Sequence, residues 1–213
     1  MADSWQALKA RLGPRIPWAM ARFVRQVLGL CVAVGGGLAL MSCGRPLSPV
    51  DREIDATPKG QVTVVEFVDY GCAFCKELHP HLWDLLDRYQ GTVRVVVKVV
   101  PLDKHEGARR LALAEVCARD EHKELALHDA MMRGGDRSEE SLDEAARGVG
   151  ISVTEWHDCM RSDRAEQAVQ SDEAAWEEMG GDGLPMVFIN DEKLVGLNDI
   201  EVYEKAMRDA VGD

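Results

Sequence analysis

The sequence predicts an α/β protein in which a βαβ unit is followed by a long helical insertion and a C-terminal ββα unit. Two short runs rich in valine, 61–68 and 93–100, flank an amphipathic helix, and this order is typical of parallel strands. From residue 105 to about 180, apolar side chains recur at helical spacing. A hairpin with its turn at Asn190-Asp191 and a last helix complete the chain.

Length and charge narrow the class of protein. The 213 residues allow one domain with an insertion, and a formal net charge of −12 argues against nucleic acid, whose phosphates require Lys and Arg. The acidic excess also disfavours binding to anionic lipid headgroups. Six cysteines are too few for a scaffold held by disulfides alone. Their positions therefore carry more information than their number.

The first 42 residues differ in composition from the rest of the chain. They contain five basic side chains and one acidic one, and an apolar run over 27–41 that is short for a membrane span. The pattern indicates a signal peptide over 1–42, and its end resembles the bacterial lipobox, in which Cys43 is lipidated. An uncleaved anchor and ordinary signal cleavage are the alternatives. Residues 43–60 contain three prolines, so we expect a tether that leads to a domain over 61–213.

The chemistry of the chain centres on the CxxC motif at Cys72 and Cys75. A strand ends just before the motif and a helix begins near Phe74, so Cys72 lies at a helix N-terminus. There the helix dipole and unpaired N–H groups stabilise a thiolate. We therefore expect Cys72 to be the exposed attacking sulfur and Cys75 the shielded resolving sulfur. A zinc site that includes His79 and a purely structural disulfide are the alternatives, although we expect no metal.

Two segments of the chain carry a resemblance to a known family. The stretch from Glu66 to Lys76, EFVDYGCAFCK, resembles the active-site segment of DsbA-like thiol:disulfide oxidoreductases of the thioredoxin superfamily. The stretch GLPMVFIN, from Gly183 to Asn190, is similar to the segment that carries their cis-proline. The resemblance extends from about Val62 to the C-terminus. It implies a thioredoxin fold with a helical insertion, which agrees with the order of elements.

The resemblance implies roles for the residues around Pro185. Pro185 would be the cis-proline that faces the cysteine pair, and a plain loop proline is the alternative. Leu184, where the family often has Thr or Val, would offer backbone hydrogen bonds to an extended substrate, and Phe74 would add to that surface. Because Phe74 cannot donate a hydrogen bond to the Cys72 thiolate as a His would, we expect a moderate oxidant.

Glu66 and Lys98 are charged residues inside two apolar strands. An unpaired charge is costly to bury, so Lys98 needs a partner. Similar family members keep an acid at the first position as a buried proton shuttle, with a Lys next to it. The resemblance therefore implies that Glu66 is the general acid/base for Cys75 and that Lys98 lowers its pKa. A solvent-facing edge position is the alternative for Glu66.

Cys117 and Cys159 lie in the helical insertion. Disulfides persist outside the cytosol, and some DsbA-like relatives carry a cysteine pair in this region. We therefore expect a structural disulfide between Cys117 and Cys159. The alternative is a pair of buried free thiols that behave as small hydrophobic residues.

Together these features predict a membrane-tethered dithiol oxidase that acts on exported proteins through Cys72 and Cys75 without a cofactor. We expect a monomer in the cell envelope, facing the periplasm or the outer side. Its partners would be exported proteins with cysteine thiols and a membrane redox protein that reoxidises the pair. A reductase or isomerase that uses the same pair, and a non-enzymatic metal-binding module, are the alternatives.

Overall fold

The computed structural model describes residues 46–212. A short 3₁₀ turn over Arg119–Glu121 follows the third helix. In chain order the other elements are α1 (Pro49–Ala56), β1 (Val62–Val68), α2 (Ala73–Asp87), β2 (Val93–Val99), α3 (Ala108–Ala118), α4 (Glu124–Arg133), α5 (Glu139–Gly148), α6 (Val153–Met160), α7 (Asp163–Glu178), β3 (Met186–Ile189), β4 (Glu192–Val195) and α8 (Ile200–Val211).

The strands form one mixed sheet in the order β2-β1-β3-β4. Strands β1 and β2 are parallel, as the βαβ pattern predicts. Strand β3 pairs antiparallel with the other edge of β1, and β4 pairs antiparallel with β3. Every residue of β1 is buried, since this strand has a neighbour on each edge. The order of elements confirms the predicted α/β class with helices α3 to α7 inserted between the two units.

Helices bury two apolar clusters against the sheet. Leu78 and Leu82 of α2 pack with Tyr203 of α8 against β1 and β3. A larger cluster joins the strands to the insertion, where the Trp156 side chain is buried and its indole N–H donates to the Ala114 carbonyl at 2.9 Å. Because one continuous cluster includes both the strands and α3 to α7, the insertion belongs to the same domain as the sheet.

The region 43–60, predicted to be a tether, contains a helix that packs on the domain. Ser48 caps α1, since its hydroxyl accepts from the Asp51 N–H at 3.1 Å while the Asp51 carboxylate accepts from the Ser48 N–H at 3.0 Å. Val50 is only 2% exposed and lies in the large apolar cluster. The tether prediction is therefore wrong for Pro49–Ala56, because two buried residues, Pro49 and Val50, hold this helix on the domain and a capping box begins it, while a proline in the first turn is compatible with a helix.

A disulfide joins Cys117 of α3 to Cys159 of α6. The two Cα atoms are 5.9 Å apart, and Cys117 is buried in the large apolar cluster. This is the pairing expected from the sequence, rather than two free thiols. The bond ties two helices of the insertion that are 42 residues apart in the chain.

Two predictions lie outside the described residues, namely the signal peptide over 1–42 and lipidation at Cys43. Within residues 46–212, no helix combines the length and the apolar character needed to cross a membrane.

Candidate active site

The CxxC motif begins a helix, as the sequence predicts. Strand β1 ends at Val68, and Cys72 is the N-cap of α2. The backbone at Gly71 passes close to His105, and only glycine fits there, because a Cβ atom at this position would lie 2.4 Å from the Cβ atom of His105. The Cys72 N–H donates to the Asp69 carbonyl at 3.0 Å, which closes the turn between strand and helix.

The two thiols are both reduced in this structure and differ strongly in acidity. The Cys75 thiol hydrogen-bonds to the Cys72 sulfur, and with the N–H groups of Cys75 and Phe74 it lowers the pKa of Cys72 to about 6. The same hydrogen bond, together with burial, raises the pKa of Cys75 far above its usual range. Cys72 is therefore the thiolate of the pair at neutral pH, and Cys75 holds the proton.

Cys72 is less accessible than the sequence predicts. Its side chain lies in the wall of the site and the residue is only 8% exposed, since the Leu184 carbonyl lies 3.8 Å from its sulfur. The prediction of an exposed attacking sulfur is thus wrong in degree, because the Leu184–Pro185 segment covers it. Phe74, which lies between the two cysteines in the motif, is 57% exposed.

The Leu184–Pro185 peptide bond is cis. It immediately precedes β3, and the Pro185 carbonyl accepts from the Gly196 N–H at 2.7 Å. This bond to the residue after β4 holds the segment in place, so the Leu184 carbonyl faces Cys72. Cys72, Leu184 and Pro185 therefore come together as predicted, at the end of the sheet where the helix α2 begins.

Glu66 lies in the middle of β1 and is completely buried. Among the described residues, neither of its carboxylate oxygens has a hydrogen-bond partner. Burial raises its pKa to about 8, and its negative charge further raises the pKa of Cys75. Glu66 therefore lies near the resolving cysteine and holds a proton at neutral pH, and the edge-position alternative is excluded.

Lys98 does not accompany Glu66, which corrects the expectation from the family resemblance. The parallel register pairs Lys98 with Phe67, and neighbouring residues of a strand point to opposite faces, so Glu66 and Lys98 face opposite sides of the sheet. The Lys98 ammonium instead lies 3.1 Å from Glu53 of α1 and 3.5 Å from Asp172 of α7. Lys98 therefore stabilises the helices behind the sheet rather than the acid of the active site.

Asp172 accepts further hydrogen bonds beside Lys98, from the edge strand β2 and from Arg119. One of its oxygens accepts from the Val99 N–H at 3.1 Å and the Arg119 guanidinium at 2.6 Å. The same guanidinium donates to the Val97 carbonyl at 3.1 Å. Side chains thus bind two backbone groups of β2, the Val99 N–H and the Val97 carbonyl.

Sequence reasoning missed a set of buried polar groups behind Glu66. Tyr70 follows β1, Glu115 lies on α3 and His128 lies on α4, and each is at most 2% exposed. One signal was available, since Glu115 follows Leu111 by four residues and therefore shares its apolar helix face. The other groups come from separate elements, so no spacing in the sequence indicates that they meet.

His79 is buried on α2, and its Nε2 atom lies 2.9 Å from Asp129. Its position therefore reflects a hydrogen bond to α4 rather than a shared site with the two cysteines. In the part of the chain that the structure describes, no three His, Cys, Asp or Glu side chains are arranged to hold a metal ion.

Comparison with known proteins agrees with this site. Residues 57–209 match the family model described as thioredoxin. A thioredoxin-like oxidoreductase from Silicibacter pomeroyi superposes with a TM-score of 0.63 at 28% identity, over 73% of this chain and 90% of that one. The thiol-disulfide exchange protein α-DsbA2 from Wolbachia pipientis has a TM-score of 0.63 at 23% identity, over 72% of this chain and 83% of that one.

A relative among curated proteins is much longer. The Na⁺/H⁺ antiporter NhaA 3 of Salinispora tropica is 28% identical over 206 residues, which cover 95% of this chain and 29% of the antiporter. This chain therefore spans about three tenths of the length of the curated relatives that it matches. Since the family model matches residues 57–209, the chain belongs to the thioredoxin family, and the observed fold and CxxC site agree with that membership.

Proposed function

We propose that this chain is a DsbA-like thiol–disulfide oxidoreductase that works as a dithiol oxidase on exported proteins. The observation that carries the proposal is the difference in acidity within the pair, with the pKa of Cys72 lowered to about 6 and that of Cys75 raised. A stabilised thiolate favours the reduced form of the enzyme, and such a pair gives up its disulfide readily. No charged or hydrogen-bonding side chain lies between the two cysteines, so we expect a moderate oxidant.

The reaction begins with the oxidised pair. A substrate thiolate attacks the Cys72 sulfur, the Cys72–Cys75 bond breaks, and Cys75 leaves as a thiolate that takes a proton from Glu66. A second substrate thiolate then attacks the substrate sulfur of the mixed disulfide, which releases Cys72. Two electrons thus pass from two substrate thiols to the enzyme pair. Its low pKa makes Cys72 a good leaving group in this last step.

Substrate binding is assigned to the surface around the cis peptide bond. The backbone of Leu184 would pair with an extended segment of the substrate, as in strand addition. The exposed Phe74 ring would cover an apolar side chain of the same segment. Leu184 and Pro185 lie over Cys72, so a segment bound there presents its own cysteine to that sulfur.

The place of action follows from the N-terminal sequence. The signal peptide pattern supports export, and Cys43 in the lipobox-like motif would anchor the domain to a membrane of the cell envelope. The substrates would be exported proteins with free thiols. A membrane redox partner would return the reduced pair to the disulfide.

The direction of the reaction is tested by the redox potential and by trapping. We expect a potential between those of thioredoxin, about −270 mV, and DsbA, about −120 mV. The variant C75A keeps the attacking sulfur and should accumulate mixed disulfides with exported proteins, whereas C72A should accumulate none. Purified enzyme in its oxidised form should also restore activity to a reduced, unfolded secreted protein.

The reductase alternative makes the opposite prediction. A potential at or below that of thioredoxin, with efficient reduction of insulin and no oxidation of the unfolded protein, would contradict the oxidase proposal while leaving thiol–disulfide exchange intact.

A further inference from the structure

A line of buried polar atoms leads away from Glu66 on the side remote from solvent. The Nε2 atom of His128 lies 3.7 Å from the Glu66 carboxylate, and its Nδ1 atom lies 2.9 Å from the Tyr70 hydroxyl. That hydroxyl lies in turn 3.1 Å from the carboxylate of Glu115. All four side chains are at most 2% exposed. Four polar groups in contact inside an apolar core are costly unless each serves the others.

We propose that His128, Tyr70 and Glu115 form a proton relay that resupplies Glu66 after it has given its proton to Cys75. This inference rests on the role proposed for Glu66. Glu115 is then a second buried proton-holding carboxyl group, and His128 and Tyr70 are positioning residues that pass the proton between the two acids.

The chemistry of the intermediate groups fits this task. A phenol and a neutral imidazole each accept one hydrogen bond while donating another. The Glu66 carboxylate and the His128 Nε2 atom are 3.7 Å apart and are not hydrogen-bonded in this structure, so the relay requires the two side chains to approach by about half an ångström. In one arrangement Glu66 then holds the proton and donates to His128, His128 donates to Tyr70, and Tyr70 donates to an ionised Glu115. In the other arrangement every donor and acceptor is reversed and Glu115 holds the proton. The two arrangements differ by one proton, which has moved from one carboxyl group to the other.

The electrostatics of the line supports both arrangements. Burial raises the pKa of Glu115 to about 8, so this group holds a proton at neutral pH, while the nearby Arg119 stabilises its ionised form. Burial keeps the pKa of His128 well below its usual value, so the ring is neutral. The ring of His79 packs edge-on against that of His128, but both His128 nitrogens face Tyr70 and Glu66, so His79 lies beside the line.

The far end of the relay approaches solvent away from the substrate. Glu115 interacts electrostatically with Arg119, Glu124 and Asp172. The first two of these line a surface hollow of about 400 Å³ that also includes Glu53 and Lys98. No residue of this hollow belongs to the CxxC loop, to α2 or to the Leu184–Pro185 segment. Glu115 is itself buried and does not line the hollow, so Arg119 and Glu124 lie between it and solvent, on a side that a substrate over Cys72 leaves uncovered.

If the relay operates, a variant that removes one of its polar groups should re-protonate Glu66 more slowly than it exchanges thiols. The variants Y70F and E115Q each change one polar group of the line, and Y203F is the matched control, because Tyr203 is also buried and bonds to the Gly196 carbonyl at 3.1 Å outside the relay. Oxidised enzyme is mixed with excess dithiothreitol in weak buffer containing a pH indicator. Exchange is followed by tryptophan fluorescence, and the release and uptake of protons by the indicator, between pH 5.5 and 8.5.

Dithiothreitol loses two protons when it is oxidised, and the reduced enzyme keeps one of them on Cys75 while Cys72 stays a thiolate, so wild type and Y203F should show a net release of about one proton near pH 7 at the rate of exchange. In Y70F and E115Q the proton that Glu66 gives to Cys75 should be replaced at least ten times more slowly, in the range that general acid–base groups contribute. These variants should therefore release about two protons with exchange and take up about one again in a separate slow phase. The double variant E66Q/Y70F should be no slower than E66Q, because both changes interrupt one path. If Y70F fails to fold, E115Q decides the question alone.

The failures of the two proposals differ. If E66Q slows exchange but Y70F and E115Q behave like Y203F, the relay is overturned and the role of Glu66 stands. If E66Q shows the exchange rate and the proton release of wild type, the role of Glu66 fails and the relay fails with it.

Discussion

Glu66 is a carboxyl group buried without a countercharge, and this makes the stability of the protein depend on pH. Between the ordinary glutamate pKa of 4.5 and the raised pKa of about 8, the group is ionised in the unfolded chain and protonated in the folded protein. The unfolded chain therefore binds fewer protons in this window, and the free energy of unfolding falls as the pH rises, by up to about 1.4 kcal/mol per pH unit.

We expect E66Q to remove this contribution, so that the variant gains stability relative to wild type as the pH rises from 5 to 8. Glu115 acts in the same direction, so a smaller slope should remain in E66Q. Urea unfolding at pH 5, 6.5 and 8 measures the effect. Parallel curves for wild type and E66Q would show that Glu66 is ionised in the folded protein.

Glu53 offers the opposite case as a control. Burial opposes its ionisation, but Lys98 and Arg94 outweigh burial and lower its pKa. The stabilisation is present above the unfolded value of 4.5 and is lost as the pH falls through the lowered pKa. E53Q should therefore lose about 1–2 kcal/mol at neutral pH, in contrast to the gain for E66Q.

The acidity of Cys72 depends first on its partner thiol. In reduced wild type, the thiolate absorbance at 240 nm and the rate of alkylation should rise with a midpoint near the pKa of about 6. In C75A the main hydrogen bond is absent, and the midpoint should move towards the ordinary cysteine pKa of 9.0 by at least about one pH unit. A midpoint of about 3.5 for the wild-type Cys72 titration would instead indicate a strong oxidant.

At the scale of elements, α1 is part of the domain although it precedes the first strand. Val50 is 2% exposed, whereas Leu47 just before the helix is 46% exposed. V50A should lower the free energy of unfolding by about 1–3 kcal/mol, since it leaves a cavity in the core. The control L47A should change it by less than about 0.5 kcal/mol. Equal effects would mean that α1 does not pack as a stable element, and chemical unfolding distinguishes the two results.

At the scale of the whole molecule, the Cys117–Cys159 disulfide restricts the unfolded chain. The double variant C117A/C159A should lose about 2–4 kcal/mol, because the bond closes a loop of 42 residues. Thiol exchange at neutral pH should continue, since the pair lies apart from the CxxC motif. Calorimetry with a parallel exchange assay tests both parts, and full stability in the double variant would contradict the structural role.

The proposed lipid anchor at Cys43 can be tested on the whole chain. We expect C43A to move the protein from the membrane fraction to the soluble fraction of the producing cell, because the acyl chains would be lost. The matched variant C31A, within the same N-terminal region, should stay with the membrane. Retention of C43A in the membrane would favour the uncleaved anchor.

Much of the fold could be predicted because each element has its own local signal. The valine runs predict β1 and β2, the leucine spacing predicts α2, and the turn at Asn190-Asp191 predicts the hairpin. The helix around Val50 was not predicted, because the prolines of 43–60 favour a tether, although Ser48 and Asp51 have the spacing of a capping box.

The centre of the site was predicted for the same reason, and its surroundings were not. Cys72 and Pro185 stand in recognisable segments, whereas the partner of Lys98 depends on strand register, which a one-residue shift reverses. The relay groups meet only through the packing of α3 and α4 against the loop after β1. Such contacts between distant segments leave no pattern in the sequence.

The side chains bound along β2 also govern how molecules of this protein meet one another. A free edge of a sheet is a template on which another chain can grow. Here Asp172 and Arg119 occupy two of the backbone groups that such a neighbour would need, the Val99 N–H and the Val97 carbonyl. A second chain could therefore not extend the sheet along this end of β2 without first displacing both side chains.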